Sequence, residues 1–150
     1  MVIIVYLSNP ENQGLLIYVK RLLKVRIYSF SYIYGGIPAD NTKNGGGFVF
    51  DCRFIHNPGK YEDYKILTGK DQKVADFLEK QTEMTDFLRN VNEIVDKSVE
   101  KYKEREFTDL MVSFGCTGGR HRSVYSAEKL SQHLSEKFKD IQIILIHQNI

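Results

Sequence analysis

The segment Gly115-Cys-Thr-Gly-Gly-Arg-His-Arg-Ser123 gathers a thiol, two hydroxyls, two guanidiniums, an imidazole and three glycines within nine positions. Glycines permit a tight turn whose successive N–H groups point inward, and such a concavity suits an anion. The flanking residues sharpen this. Leu110 to Phe114 reads as a buried strand, and His121 to Phe138 as an amphipathic helix with Val124, Ala127, Leu130, Leu134 and Phe138 on its inner side. A glycine turn between strand and helix brings the first free helical amides and the positive end of the helix dipole to one point. Thr117 and Ser123 add hydroxyl donors, Arg122 a planar fork for bidentate phosphate binding, and His121 further charge once an anion raises its pKa. A phosphate monoester fits this set, with Thr117, Gly118, Gly119, His121, Arg122 and Ser123 as its candidate ligands.

The same letters admit an enzyme. Cys116, Gly119, Arg122 and Ser123 satisfy C-x-x-G-x-x-R-S, the pattern of cysteine-dependent phosphatases, whose thiolate attacks phosphorus while the following amides and the arginine cradle the oxygens. A helix terminus and nearby cations would depress a thiol pKa and raise its reactivity. Cys116 is therefore an alternative nucleophile, with Arg122 as its partner. Yet Gly115 stands where such enzymes carry a histidine, and no segment clearly presents an aspartic general acid. Binding without catalysis is the primary expectation.

Composition sets the frame. A chain of 150 residues, 42% hydrophobic and 27% charged, fits one globular domain with a real core. The formal net charge of +2 announces no global basic field, so a nucleic-acid partner must be met by a local patch. Cys52 and Cys116, the only cysteines, have neither a disulfide-framework nor a zinc spacing, which implies a reduced, cytoplasmic setting with no metal and no cofactor. The opening MVIIVYL is too short to span a membrane, lacks a basic flank and meets the turn-like Ser8 to Asn12, so a strand is expected there, without leader or membrane contact.

The elements that must position the turn follow from spacing. Gly14 to Lys24 places Leu15, Leu16, Val19, Leu22 and Leu23 at helical intervals with Lys20, Arg21 and Lys24 near the end, which predicts a helix. Val25 to Tyr32 reads as a strand, and Tyr34 to Gly47 as a long glycine-rich loop of the kind that often carries function. Phe48 to Ile55 alternates, with Phe48, Phe50, Cys52 and Phe54 on one face and Val49, Asp51, Arg53 and Ile55 on the other, until His56-Asn-Pro-Gly59 ends it. Asp51 either orients Arg53, binds sugar hydroxyls or forms a structural ion pair. Thr68 and Asp71 predict a capping box before a short helix with Val74, Phe77 and Leu78 inward. A longer helix from Glu83 to Lys103 buries Met84, Phe87, Leu88, Val91, Ile94, Val95, Val99 and Tyr102, and Ile141 to His147 is the last strand. The fold class is α/β: a single open, mainly parallel sheet with helices on both faces. Ligands gather beyond the carboxyl ends of such strands, which brings Cys116 to Ser123 near Arg53 and Asn57 if strands 48–55 and 110–114 are parallel neighbours.

VFDCRFIHNPG (49 to 59), LTGKDQKVADFLE (67 to 79) and VSFGCTGGRHRSVYSAEKL (112 to 130) together resemble the C-terminal domain of the RNase adapter RapZ family, whose members are often labelled nucleotide-binding. The resemblance spans about residues 26 to 147, within a domain drawn at 26–150, and leaves 1–25 as an N-terminal extension of strand plus helix. It implies a fold similar to a phosphofructokinase subdomain and a regulatory sensor. In that family the domain holds an anion pocket for an amino-sugar phosphate, glucosamine-6-phosphate, and contacts a small RNA presented to a ribonuclease. Carried over by motif, the pocket residues are Thr117, Gly118, His121 and Arg122, with Gly59 where the family has a histidine unless His56 replaces it. Arg120 and Lys139 are the RNA candidates, and a homo-oligomer is expected. The family's basic C-terminal tail and the Walker motif of its other domain have no counterpart here, so nucleotide hydrolysis is not expected.

Overall fold

A computed structural model of the protein describes residues 2–8 and 15–150, those up to residue 20 by their backbone alone. Among the described residues there are six strands and three α-helices: β1 (Val2–Ser8), β2 (Leu15–Arg21), β3 (Leu23–Ser31), β4 (Phe48–Asp51), α1 (Gln72–Gln81), α2 (Met84–Glu104), β5 (Asp109–Cys116), α3 (Arg122–Lys137) and β6 (Ile141–His147). β1 and β2 pair antiparallel as a separate ribbon, Val2 opposite Arg21. The helix expected over Gly14 to Lys24 is thus a strand from Leu15. Leu-Leu-Ile-Tyr-Val also satisfies a pleated surface, and a partner strand at Val2–Ser8 decides between the two periods. The expected turn at Ser8 to Asn12 lies outside the described residues beyond Ser8.

The remaining strands form an open, all-parallel sheet in the order β4-β5-β3-β6. Its core side is set by alternation. Val25 and Ile27 of β3 stand beside Leu110 and Val112 of β5 in register, and α1, α2 and α3 cover them with Val74, Leu78, Val91, Val95, Leu130 and Leu134. Helices were expected on both faces, but these three share one. The crossovers β4→β5 and β5→β6 advance across the sheet in the same direction, and right-handed connections then deposit their helices on the same side. Loop 32–47 covers part of the opposite face. There Arg26 forks onto Asp109 at 2.7 Å and reaches Asp40 at 2.6 Å, and Gly47 lies so close to β5 that a Cβ would sit 2.0 Å from the Met111 carbonyl oxygen.

β4 is shorter than its alternation suggests. The Cys52 amide still donates to Gly115 O at 2.8 Å, but the Asp51 carboxylate then takes the Arg53 amide at 2.8 Å and turns the chain. The two faces consequently swap: Phe54 is exposed and Ile55 buried. At α1 the reciprocal cap is half formed, Asp71 accepting from the Thr68 amide at 2.7 Å and its hydroxyl at 3.0 Å. Ile94, expected in the α2 stripe, is exposed. No described helix is long and apolar enough to cross a membrane.

Candidate functional site

β5 delivers Cys116 to the sheet's carboxyl edge, where it lies in register with Ser31 at the end of β3. The turn is then tied to the neighbouring chain. The Tyr32 amide donates to Cys116 O at 3.1 Å, and the Ser31 hydroxyl donates to Thr117 O at 2.6 Å. Gly119 takes φ +66°, and a Cβ there would meet Asn149 Oδ1 at 2.7 Å and Ser31 N at 2.9 Å, two atoms that bond each other at 2.8 Å. Gly118 is the opposite case: no atom lies within 4 Å of where its Cβ would be, so the turn is open at that point.

Arg122, the first residue of α3, is only 4% exposed. Its Nη1 donates to Arg53 O at 3.0 Å and Ile55 O at 2.9 Å, while Nη2 reaches the Thr117 hydroxyl at 3.4 Å and the buried Nε has no protein partner. None of these bonds goes to a carboxylate. A guanidinium presents Nε and Nη2 along one edge, the fork that grips two oxygens of an oxyanion. Along that edge only Nη2 is engaged, by the long bond to the exposed Thr117, and Nε beside it has no protein partner near the start of α3, which no side chain caps.

His121 is buried, and its Nε2 donates to Tyr64 O at 2.8 Å, which fixes the proton on that nitrogen. Burial first, and then the positive charges of Arg120 and Arg122, push its pKa below the ordinary histidine value, although the Tyr64 carbonyl opposes them. Segment 64–69 is laced to the same helix end. Gly69 N donates to Arg120 O at 2.8 Å, Arg120 Nη2 reaches Ile66 O at 3.4 Å, and a Cβ on Gly69 would lie 2.3 Å from both His121 O and Tyr125 N.

The other expected residues divide. Ser123 is fully buried and its hydroxyl lies 3.1 Å from Cys116 Sγ on the helix side, so its side chain faces the core while its amide remains at the helix start. Cys116 itself is 2% exposed, and burial pushes the Cys52 thiol up to about 12. Asp51 orients Arg53: its carboxylate accepts Arg53 Nε at 2.9 Å and Nη2 at 2.6 Å, and these bonds hold its pKa below the usual carboxylate range. Asn57 caps a short 3-10 turn by accepting from Gly59 N at 3.1 Å. A Cβ on Gly59 would lie 3.2 Å from His121 Cε1, whereas His56 bonds the Tyr61 hydroxyl at 3.1 Å and stacks on that ring. Arg120 and Lys139 sit at opposite ends of α3, with Lys139 Nζ donating to Ser135 O at 2.8 Å. Ser31, Tyr32, Tyr64, Gly69 and Asn149 support the turn without any local signal in sequence beyond the Thr68-Gly69 breaker, because they arrive from other elements.

Comparison with known proteins places the chain in a family. The family model described as RapZ C-terminal domain matches residues 23–150. The chain is 36% identical to a "Nucleotide-binding protein" of Thermosipho melanesiensis over 91% of its own length and 46% of the relative's. Similar proteins of the same printed name occur in Pseudothermotoga lettingae, 39% identical over 85% of this chain and 44% of theirs, and in Actinobacillus pleuropneumoniae, 37% identical over 82% and 41%. The chain thus spans less than half the length of these relatives. On this match, and with an α/β sheet ending in a glycine turn at a helix start, the chain belongs to the RapZ C-terminal domain family.

Proposed function

We propose that the chain is a regulatory binding module whose cup at the start of α3 takes the phosphate of a small metabolite. Arg122 carries the reading. A buried cation with no carboxylate bonded to it and a donor edge left without a full partner is costly unless an anion completes it. The relatives' printed name points to a nucleotide or similar phosphorylated ligand, and the family resemblance narrows this to an amino-sugar phosphate of the glucosamine-6-phosphate type. Thr117, Gly118 and the first amides of α3 contact the phosphate, and Arg122 clamps it. The test is isothermal titration with inorganic phosphate, glucosamine and glucosamine 6-phosphate. The phosphorylated sugar should bind and glucosamine should not. Equal binding of both, or none, rejects the cup.

Regulation in this proposal includes contact with structured RNA, its presentation to a ribonuclease, and self-association. Arg120, exposed beside the cup, is the nearer RNA contact and Lys139 the farther one. Affinity should fall with salt and with Arg120→Ala; an affinity insensitive to both rejects the footprint. A second reading, a cysteine-dependent phosphatase, draws on the 3.1 Å contact between Cys116 Sγ and Ser123 Oγ. Against it stand the burial of Cys116 and the state of Asp51, a nearby carboxyl held ionised by Arg53 and so unable to donate a proton at neutral pH.

A further inference from the structure

Arg53 is half exposed, yet it is held on three sides. Its backbone oxygen is clamped by Arg122, its Nε and Nη2 fork onto Asp51, and its guanidinium carbon lies 3.9 Å above the centre of the Tyr32 ring. Tyr32 is itself fixed. It packs edge-on against Phe30 at 4.8 Å, and a Cβ on Gly115 would lie 2.5 Å from its Cε2, so the ring rests directly on the residue where the glycine turn begins. Exposed arginines ordinarily lose rotamer freedom when they order a ligand. Here that ordering is already complete, and the outcome is a flat guanidinium surface, its charge balanced by Asp51, layered over Tyr32 and Gly115 at the rim of the cup. A planar cation with one face on an aromatic ring offers its other face to a second flat π-system. The Asp51 carboxylate is engaged by Arg53 through three donors, its amide, Nε and Nη2.

We infer that Arg53 is the specificity-determining surface of the cup, the plane on which a flat conjugated ring stacks, so that among phosphate monoesters the cup favours one bearing such a ring, a free purine nucleoside 5′-monophosphate being the test case. The inference rests on the phosphate-cup reading. Arg122 holds the phosphate, and Arg53, joined to it through one hydrogen bond, selects what the phosphate is attached to. The test is calorimetric titration of the full chain with inorganic phosphate, ribose 5-phosphate and AMP. AMP should bind about 5- to 100-fold more tightly than ribose 5-phosphate, the range of a single base stack. In Arg53→Lys, which keeps the charge and removes the plane, and in Tyr32→Leu, which removes the support beneath it, that ratio should fall to about 3-fold or less. A ratio near one in the wild type, or one unchanged in both variants, overturns the platform while leaving phosphate binding intact. Absence of binding by all three phosphates removes cup and platform together. Tighter binding of a 5′-phosphorylated oligoribonucleotide than of AMP overturns the assignment to a free nucleotide.

Discussion

Gly118 and Gly119 are neighbours of one residue type in opposite roles, and alanine at each separates room for a ligand from tolerance of the backbone. At Gly119 the left-handed φ of +66° costs an L-residue about 1–2 kcal/mol. The methyl would also press on Asn149 Oδ1 and Ser31 N, and loss of the bond between them adds about 1 kcal/mol. Gly119→Ala should therefore lose about 2–3 kcal/mol, which for a chain of this size lowers Tm by roughly 4–12 °C. At Gly118 the methyl meets nothing within 4 Å and the φ is not left-handed, so stability should change by no more than about 0.5–1 kcal/mol, a small gain included. Phosphate affinity reverses the order. Gly118→Ala places its methyl in the open side of the turn and should weaken inorganic phosphate at least about tenfold in an otherwise wild-type fold, a loss of about 1.4 kcal/mol. Thermal unfolding by circular dichroism and calorimetric titration read the two effects. Equal destabilisation by both substitutions, or wild-type phosphate affinity in Gly118→Ala, refutes the assignment of the open side to the ligand.

Other expectations follow from the same contacts. Because burial depresses His121, the folded chain binds fewer protons than the unfolded one just below the ordinary histidine pKa, so this contribution to stability is present above that value and lost as pH falls. An anion that draws the proton back makes binding tighter in acid: sulfate, whose charge is constant, should bind more tightly at pH 5.5 than at pH 7.5, and a flat profile means that His121 does not sense the guest. The Asp40 carboxylate is held well below the usual range by the Thr42 hydroxyl first, then the Thr42 amide, Arg26 and the Gly46 amide. Its contribution is present above the unfolded carboxylate pKa and lost as pH falls through the lower folded one, so the gap in urea midpoint between wild type and Asp40→Asn should close in acid. With an aryl phosphate, wild type and Cys116→Ser should be equally inert; turnover lost only in the variant would establish the enzyme.

The turn from β5 into α3 was legible because its determinants are contiguous: an apolar run, glycines, then a helical stripe ending at Lys137. The open parallel sheet followed from those same runs. What was not legible depends on partners distant in sequence. Leu15 to Arg21 fits a helix or a strand until β1 is placed beside it, and Phe54 exchanges faces with Ile55 because Asp51 turns the backbone, an event that residue alternation does not encode. Ser123 looked like a ligand by type, but the rotation of α3 directs its hydroxyl to Cys116. Arg122 is an anion ligand by residue type alone, whereas which of its nitrogens are taken up within the protein depends on carbonyls 67 and 69 positions away.

The strand order explains why the proposed cup lies at this point. β3 and β5 are adjacent, but the chain leaves β3 toward β4 across the face that loop 32–47 covers, and leaves β5 toward β6 through α3 on the other face. Where neighbouring strands send their connections to opposite sides, the carboxyl edge is left with a crevice. There Ser31 and Tyr32 at the end of β3 are hydrogen-bonded to the glycine turn that leaves β5. The one-sided arrangement of the helices is therefore no obstacle to a ligand site, because a loop in place of a helix on the second face still produces the reversal. It also leaves the far wall thin enough for Tyr32 to reach Gly115 and carry Arg53 at the rim, which a second helical layer would have covered.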